Sequence, residues 1–146
     1  MTAVRTELRV GLDLVDVDDV AASVEQFGDR YLQRIYTDHE IGCSRRPGRV
    51  GTAGAYAMES LAARFAAKEA VLKVLRPVGA RPEWRSIELH RMTEGWCEIR
   101  LSGTAAALAE AAGIDDFSVS LSHEANLAAA VVVGWSTHDS EEKDDG

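Results

Sequence analysis

Cysteine is scarce in this chain. Cys43 and Cys97 are the two present, with neither CxxC spacing nor an evident histidine partner, so a zinc knuckle or a disulfide framework is not expected. Both are read as free thiols. Long apolar runs are missing too: the longest, Leu127 to Trp135, counts nine residues even with Gly134 included, well short of the roughly 18 that span a bilayer. No membrane segment is expected. Met1 to Val10 interleaves Arg5, Glu7 and Arg9 without a continuous apolar stretch, unlike a secretory signal, so the expected location is the cytoplasm. Positive charge is in deficit, 16 Lys+Arg against 24 Asp+Glu for a net −8, which argues against generic nucleic-acid binding through a basic surface. Half of that charge, −4, falls in the last eight residues, so the body is only mildly acidic. No P-loop, GxGxxG or Ser/His/Asp arrangement appears.

What is present is a soluble-type composition, 46% hydrophobic and 27% charged over 146 residues, enough for one domain and its core. The reading is one domain over 1–136 with a disordered acidic tail over 137–146. Leu8, Val10, Leu12 and Leu14 alternate with Arg9, Gly11 and Asp13, the pattern of a half-buried strand with the leucine face inward and Asp13 pointing away. Val17, Val20, Val24 and Phe27 then recur at helical spacing up to Gly28, and a short helix over Arg30 to Tyr36 follows. Thr37 and Glu40 make a capping box for a further turn, and the glycines and Pro47 between Cys43 and Ala55 mark a basic loop carrying Arg45, Arg46 and Arg49. The clearest helix runs from Ala57 to Arg76. Trp84 to Met92 and Trp96 to Leu101 read as a hairpin, and Thr104 to Ala112 as a helix stopped by Gly113. Phe117 to Ser122 and Leu127 to Trp135 read as a second hairpin joined by His123 to Asn126. Hairpins without strict strand–helix alternation predict an α+β fold with an antiparallel sheet packed on one long helix and shorter helices.

Glu69 stands out chemically. It interrupts the stripe Leu61, Phe65, Leu72 of the long helix, so it is either a metal ligand or base at the rim of the core, or a half-exposed partner of Lys73 at i+4. Asp13, at the end of the first strand, is either a second ligand or one more capping acid beside Asp16, Asp18 and Asp19. Two carboxylates from separate elements suit Mg²⁺, which takes phosphate oxygens and water for the rest of its shell. Arg64, Lys68 and Lys73 could serve those phosphates, or simply form a solvated helix face. His123, alone at a strand end, is either a ligand or a structural residue.

Three segments in order then carry a resemblance: Gly11-Leu12-Asp13-Leu14-Val15-Asp16, Leu61-Ala62-Ala63-Arg64-Phe65-Ala66-Ala67-Lys68-Glu69-Ala70-Val71-Leu72-Lys73, and Val119-Ser120-Leu121-Ser122-His123-Glu124. Together they resemble the holo-acyl-carrier-protein synthases, the small single-domain 4′-phosphopantetheinyl transferases. The resemblance implies that fold and the transfer of 4′-phosphopantetheine from coenzyme A to a serine of an apo acyl carrier protein, releasing adenosine 3′,5′-bisphosphate. It implies Mg²⁺ held by Asp13 and Glu69. It places Arg64, Lys73 and His123 against coenzyme A, keeps Lys68 by motif, and makes Glu69, Asp13 and Lys73 the catalytic set. It also implies a homotrimer with sites between subunits. One departure is that the first helix carries Asp18, Asp19 and Glu25 where the family is commonly basic, with Arg30 and Arg34 just after. That suggests an unusual carrier, and the pathway stays open between fatty-acid biosynthesis and a polyketide or other secondary route. The alternative in a different class is a non-catalytic coenzyme A or carrier-binding module.

Overall fold

A computed structural model describes residues 7–48 and 54–137. Strand β1 (Leu8–Asp16) leads into α1 (Val17–Phe27), α2 (Asp29–Ile35) and α3 (Asp38–Ser44), and then the long α4 (Met58–Leu75). A 3₁₀ turn (Trp84–Ser86), the hairpin β2 (Ile87–Arg91) and β3 (Cys97–Leu101), α5 (Gly103–Ala112), β4 (Asp116–Glu124) and β5 (Leu127–Trp135) complete the order. All pairings between these strands are antiparallel: β5 lies between β1 and β4 in one sheet, and β2 pairs with β3 in another. The α+β expectation holds.

The local signals are realised close to where the sequence puts them. Asp16 caps α1 by accepting the Asp18 N–H at 2.9 Å, and Gly28 ends it at φ 56°, a left-handed conformation that glycine adopts without penalty. Thr37 and Glu40 form the full capping box of α3. Some boundaries move: Trp84–Ser86, read as the start of a strand, form the 3₁₀ turn, and β2 begins at Ile87. α3 runs through Cys43 to Ser44, so the loop starts later, and β4 continues through His123 and Glu124, which pair with Ala128 and Leu127 across a two-residue turn. Cys43 and Cys97 are free thiols, but Cys43 does have a histidine neighbour, His39 Nε2 at 3.6 Å, one helical turn before it.

α4 is the axis of the molecule. Leu61, Ala62, Ala66, Ala67, Ala70, Val71 and Val74 are fully buried on several sides of it, because β1 and β5 cover one flank and the smaller helices and β2 the others. A helix apolar nearly all round belongs inside the core. Its alanines let backbone approach backbone, most closely at Gly11 of β1, where a Cβ would sit 2.0 Å from the Ala70 carbonyl oxygen.

That contact reverses the facing read for β1. Gly11 and Val15 are buried and Asp13 half-buried against α4, while Leu8, Val10, Leu12 and Leu14 are 57–63% exposed. The gap at Ala70 leaves no room for a side chain, so the strand turns its glycine face inward and its leucine face out. Val10 is registered opposite Val133 and Leu12 opposite Val131, so the outer face of β1 and β5 is a continuous apolar surface, bordered by Ser118, Ser120 and Ser122 of β4. Thr137, expected to begin the tail, is instead held by Asp115 through its N–H and hydroxyl, both at 2.7 Å. The rest of the tail and Arg49 lie outside the described residues.

Candidate functional site

Asp13 and Glu69 come together. The inward turn of β1 brings Asp13 over α4, where it shares with Glu69 a cleft of about 400 Å³ walled by Asp19 of α1, Tyr31 of α2 and Phe65. Lys73 does not pair with Glu69, the bland alternative for that carboxylate. It reaches across to β1, donating to the Leu12 carbonyl at 2.5 Å and to Asp13 Oδ1 at 3.2 Å. Burial pushes the Glu69 carboxyl above the ordinary range, the charge of Asp13 pushes it further, and Arg81 and Lys73 offset part of the rise. Two carboxylates repelling each other in an open cleft are a donor set that a hard divalent cation would relieve. No third His, Cys, Asp or Glu joins them in a metal-holding group among the described residues. Asp16 is committed to Asp18 and to Asn126 Nδ2. A cation held here takes most of its shell from water and from a substrate, which is how Mg²⁺ binds beside phosphates; the residues fit that ion.

Arg64 and His123 face a second cleft, of about 600 Å³, on another flank of α4, with Ser60, Arg91 and Ser122 in its wall. Arg64 is 7% exposed and donates from Nη1 to Ser60 Oγ at 2.5 Å, yet its Nε is buried without a partner. As a lining residue, Arg64 brings a guanidinium charge to the cleft wall, where an anion would be favoured. His123, exposed at the end of β4, adds an imidazole. Arg91, at the end of β2, adds a cation that no pattern in the sequence singles out.

Lys68 belongs to neither cleft. It is 0% exposed, with Nζ 2.6 Å from Glu40 Oε1, 3.1 Å from the Trp84 carbonyl and in close contact with the Ile87 carbonyl. The expectation that it contacts coenzyme A is corrected: all three ammonium protons have acceptors inside the core. Neighbouring helix positions lie about 100° apart, so with Glu69 aimed into the acidic cleft Lys68 points inward. Burial lowers the Lys68 pKa, and Glu40 opposes that. Glu40 was legible as half of a capping box but not as the counter-ion of a lysine 28 residues on. In the basic loop, Arg46 pairs with Glu59 at 3.7 Å and Arg45 lies over the Tyr56 ring. Among the described residues no helix is long and apolar enough to cross a membrane.

The comparisons agree with this frame. The family model described as the 4′-phosphopantetheinyl transferase superfamily matches residues 9–132. A holo-[acyl-carrier-protein] synthase of Chloroflexus aurantiacus is 42% identical over 137 residues, covering 86% of this chain and 96% of its own. Among solved structures, the Helicobacter pylori holo-[acyl-carrier-protein] synthase in complex with coenzyme A superposes with a TM-score of 0.70 at 27% identity, covering 86% of this chain and 98% of that one. The Mycobacterium tuberculosis acyl carrier protein synthase does so at 0.62 and 32% identity, covering 86% and 95%. With the three motifs in place on β1, α4 and β4, this chain belongs to the holo-[acyl-carrier-protein] synthase family of 4′-phosphopantetheinyl transferases.

Proposed function

We propose that this enzyme moves the 4′-phosphopantetheine arm of coenzyme A onto a serine hydroxyl of an apo acyl carrier protein, with Mg²⁺, and releases adenosine 3′,5′-bisphosphate. The observation that carries the reading is the pairing of Asp13 with Glu69 in one cleft, with Lys73 tethered to Asp13 beside them. Asp13 and Glu69 would hold Mg²⁺, which when bound neutralises charge on the pyrophosphate and on the leaving phosphate. Lys73 keeps an ammonium fixed next to Asp13 through two acceptors on β1, a position from which it can meet a pyrophosphate oxygen. Arg64 and His123, which line the basic cleft, are suited to the phosphates at the nucleotide end of coenzyme A. In the transfer the serine oxygen forms a bond to the β-phosphorus, the bond from that phosphorus to the bridging oxygen breaks, and the serine proton departs. Glu69, which lines the same cleft, is the carboxylate proposed to accept it. The remainder of the catalysis is alignment of two substrates.

The acidic and basic clefts lie on different flanks of one chain, while the exposed Leu8, Val10, Leu12 and Leu14 face is a surface that solvent does not favour. Both features support a homotrimer in which the acidic cleft of one subunit meets the basic cleft of the next. Location in the cytoplasm fits the coenzyme A reading. The exposed Asp18, Asp19 and Glu25 of α1, beside the acidic cleft, support a carrier less acidic than a fatty-acid carrier, since like charges weaken docking. The test is intact mass of apo carriers after incubation with enzyme, coenzyme A and Mg²⁺. A gain of about 340 Da, the size of the added group, is expected; its absence on every carrier, with coenzyme A bound, would favour a binding module instead.

A further inference from the structure

We propose that Glu40 and Lys68 are positioning residues that fix α4 against β2 and so set the width of the basic cleft, a role that rests on the reading of that cleft as the coenzyme A site. Both side chains are 0% exposed. Glu40 Oε1 accepts from Lys68 Nζ at 2.6 Å and from the Thr37 N–H at 3.0 Å, and Oε2 accepts from the Leu89 N–H at 3.2 Å. Lys68 reaches the Trp84 and Ile87 carbonyls in turn. The network therefore ties the middle of α4 to the start of α3 and to both ends of the segment entering β2.

Those attachments frame the basic cleft. Its helix wall is Ser60 and Arg64, the latter one turn before Lys68; its strand wall is Leu89, whose own N–H is held by Glu40, and Arg91 two residues on. Moving the Glu40 carboxylate moves Leu89 and α4 relative to each other. Apolar residues of similar volume could fill the same space, often at no loss of stability, so a buried pair with five directional contacts supplies geometry rather than adhesion. The acidic cleft depends on the contact of β1 with α4 instead, and it should feel the network less.

The test measures coenzyme A binding by calorimetry, and KM for coenzyme A against kcat, in Glu40→Asp and in the double variant Glu40→Leu/Lys68→Met, alongside thermal melting and amide hydrogen exchange. Glu40→Asp keeps the charges and retracts the carboxylate by one methylene, so it is the variant to rely on if the double variant does not fold. Expected is a rise of about tenfold in Kd and KM for coenzyme A, larger than the change in kcat, with cooperative melting retained and faster exchange over 87–91. A folded variant that binds coenzyme A as the wild type does overturns the proposal. If the wild type binds no coenzyme A, the functional reading fails, and the positioning role is then decided by exchange alone: unchanged protection of 87–91 in a folded variant overturns it.

Discussion

In the proposed reaction the chemistry turns on Glu69, which shares its cleft with Asp13 and whose carboxyl is pushed up by burial and by the charge of Asp13. Replacing it by glutamine keeps the shape and removes the charge. Glu69→Gln should lower transfer by about two orders of magnitude in the mass assay while leaving the protein folded. The sign of its pH dependence also follows. A carboxyl raised in the folded state favours the protonated fold, so its contribution to stability is full below the ordinary carboxylate pKa and is lost as pH rises through the raised value. In metal-free protein, the melting temperature of the wild type relative to Glu69→Gln should therefore fall as pH rises through that window. A constant difference would count against the burial and repulsion inferred here. Turnover should run the other way, dropping in acid, because in the proposed reaction protonation of Glu69 would weaken its hold on Mg²⁺. At the second cleft, Arg64→Ala should raise KM for coenzyme A by about tenfold to a hundredfold, the range of a hydrogen bond to a charged group, and leave the Mg²⁺ requirement unchanged. An equal loss in kcat alone would place Arg64 elsewhere in the reaction.

At the scale of elements, the contact of β1 with α4 decides what Asp13 can do. Gly11→Ala puts a methyl against the Ala70 backbone, which cannot move aside as a side chain could. The strand must lift, at about 1–3 kcal/mol or more, and Asp13 lifts with it. Thermal melting should show the loss, and transfer should fall further than stability does, because the two carboxylates no longer share a cleft. The same contact marks where reading the sequence succeeds and where it stops. Caps, glycine stops and hairpins are local, and Thr37 with Glu40, Gly28 and Gly113 placed element ends to within a few residues. Alternation along Leu8 to Leu14 gives two faces but not which one is inner; that is decided by Ala70, almost 60 residues away along the chain. Lys68 failed for a related reason, since a basic residue reads as surface until its buried counter-ion is known. Glu69 stands out as a misfit in an apolar stripe and Asp13 as a carboxylate at a strand end, whereas Arg91 becomes apparent only in the folded cleft.

For the whole molecule, the open question is how residues on two flanks of α4 could serve one reaction. Leu8, Val10, Leu12 and Leu14 give the outer sheet face an apolar patch of the kind that marks an association surface, and a closed ring of subunits would bury it while joining unlike clefts. Val10→Glu, registered opposite Val133 on that face, places a charge in such an interface without touching either cleft. If the proposed trimer forms, this variant should sediment as monomer where the wild type sediments as trimer, and transfer should be abolished while the fold survives. A fully active monomer would mean that each chain holds a complete site. Subunit mixing makes the sharper comparison. Glu69→Gln damages only the acidic cleft and His123→Ala only the basic one, so each parent is impaired at every site of the proposed trimer. If sites form between chains, a mixed trimer contains junctions where an intact acidic cleft meets an intact basic cleft, and transfer should reappear on exchange. If both clefts of one chain act together, no junction is whole, and mixtures shown by native mass spectrometry to have exchanged should stay as impaired as their parents.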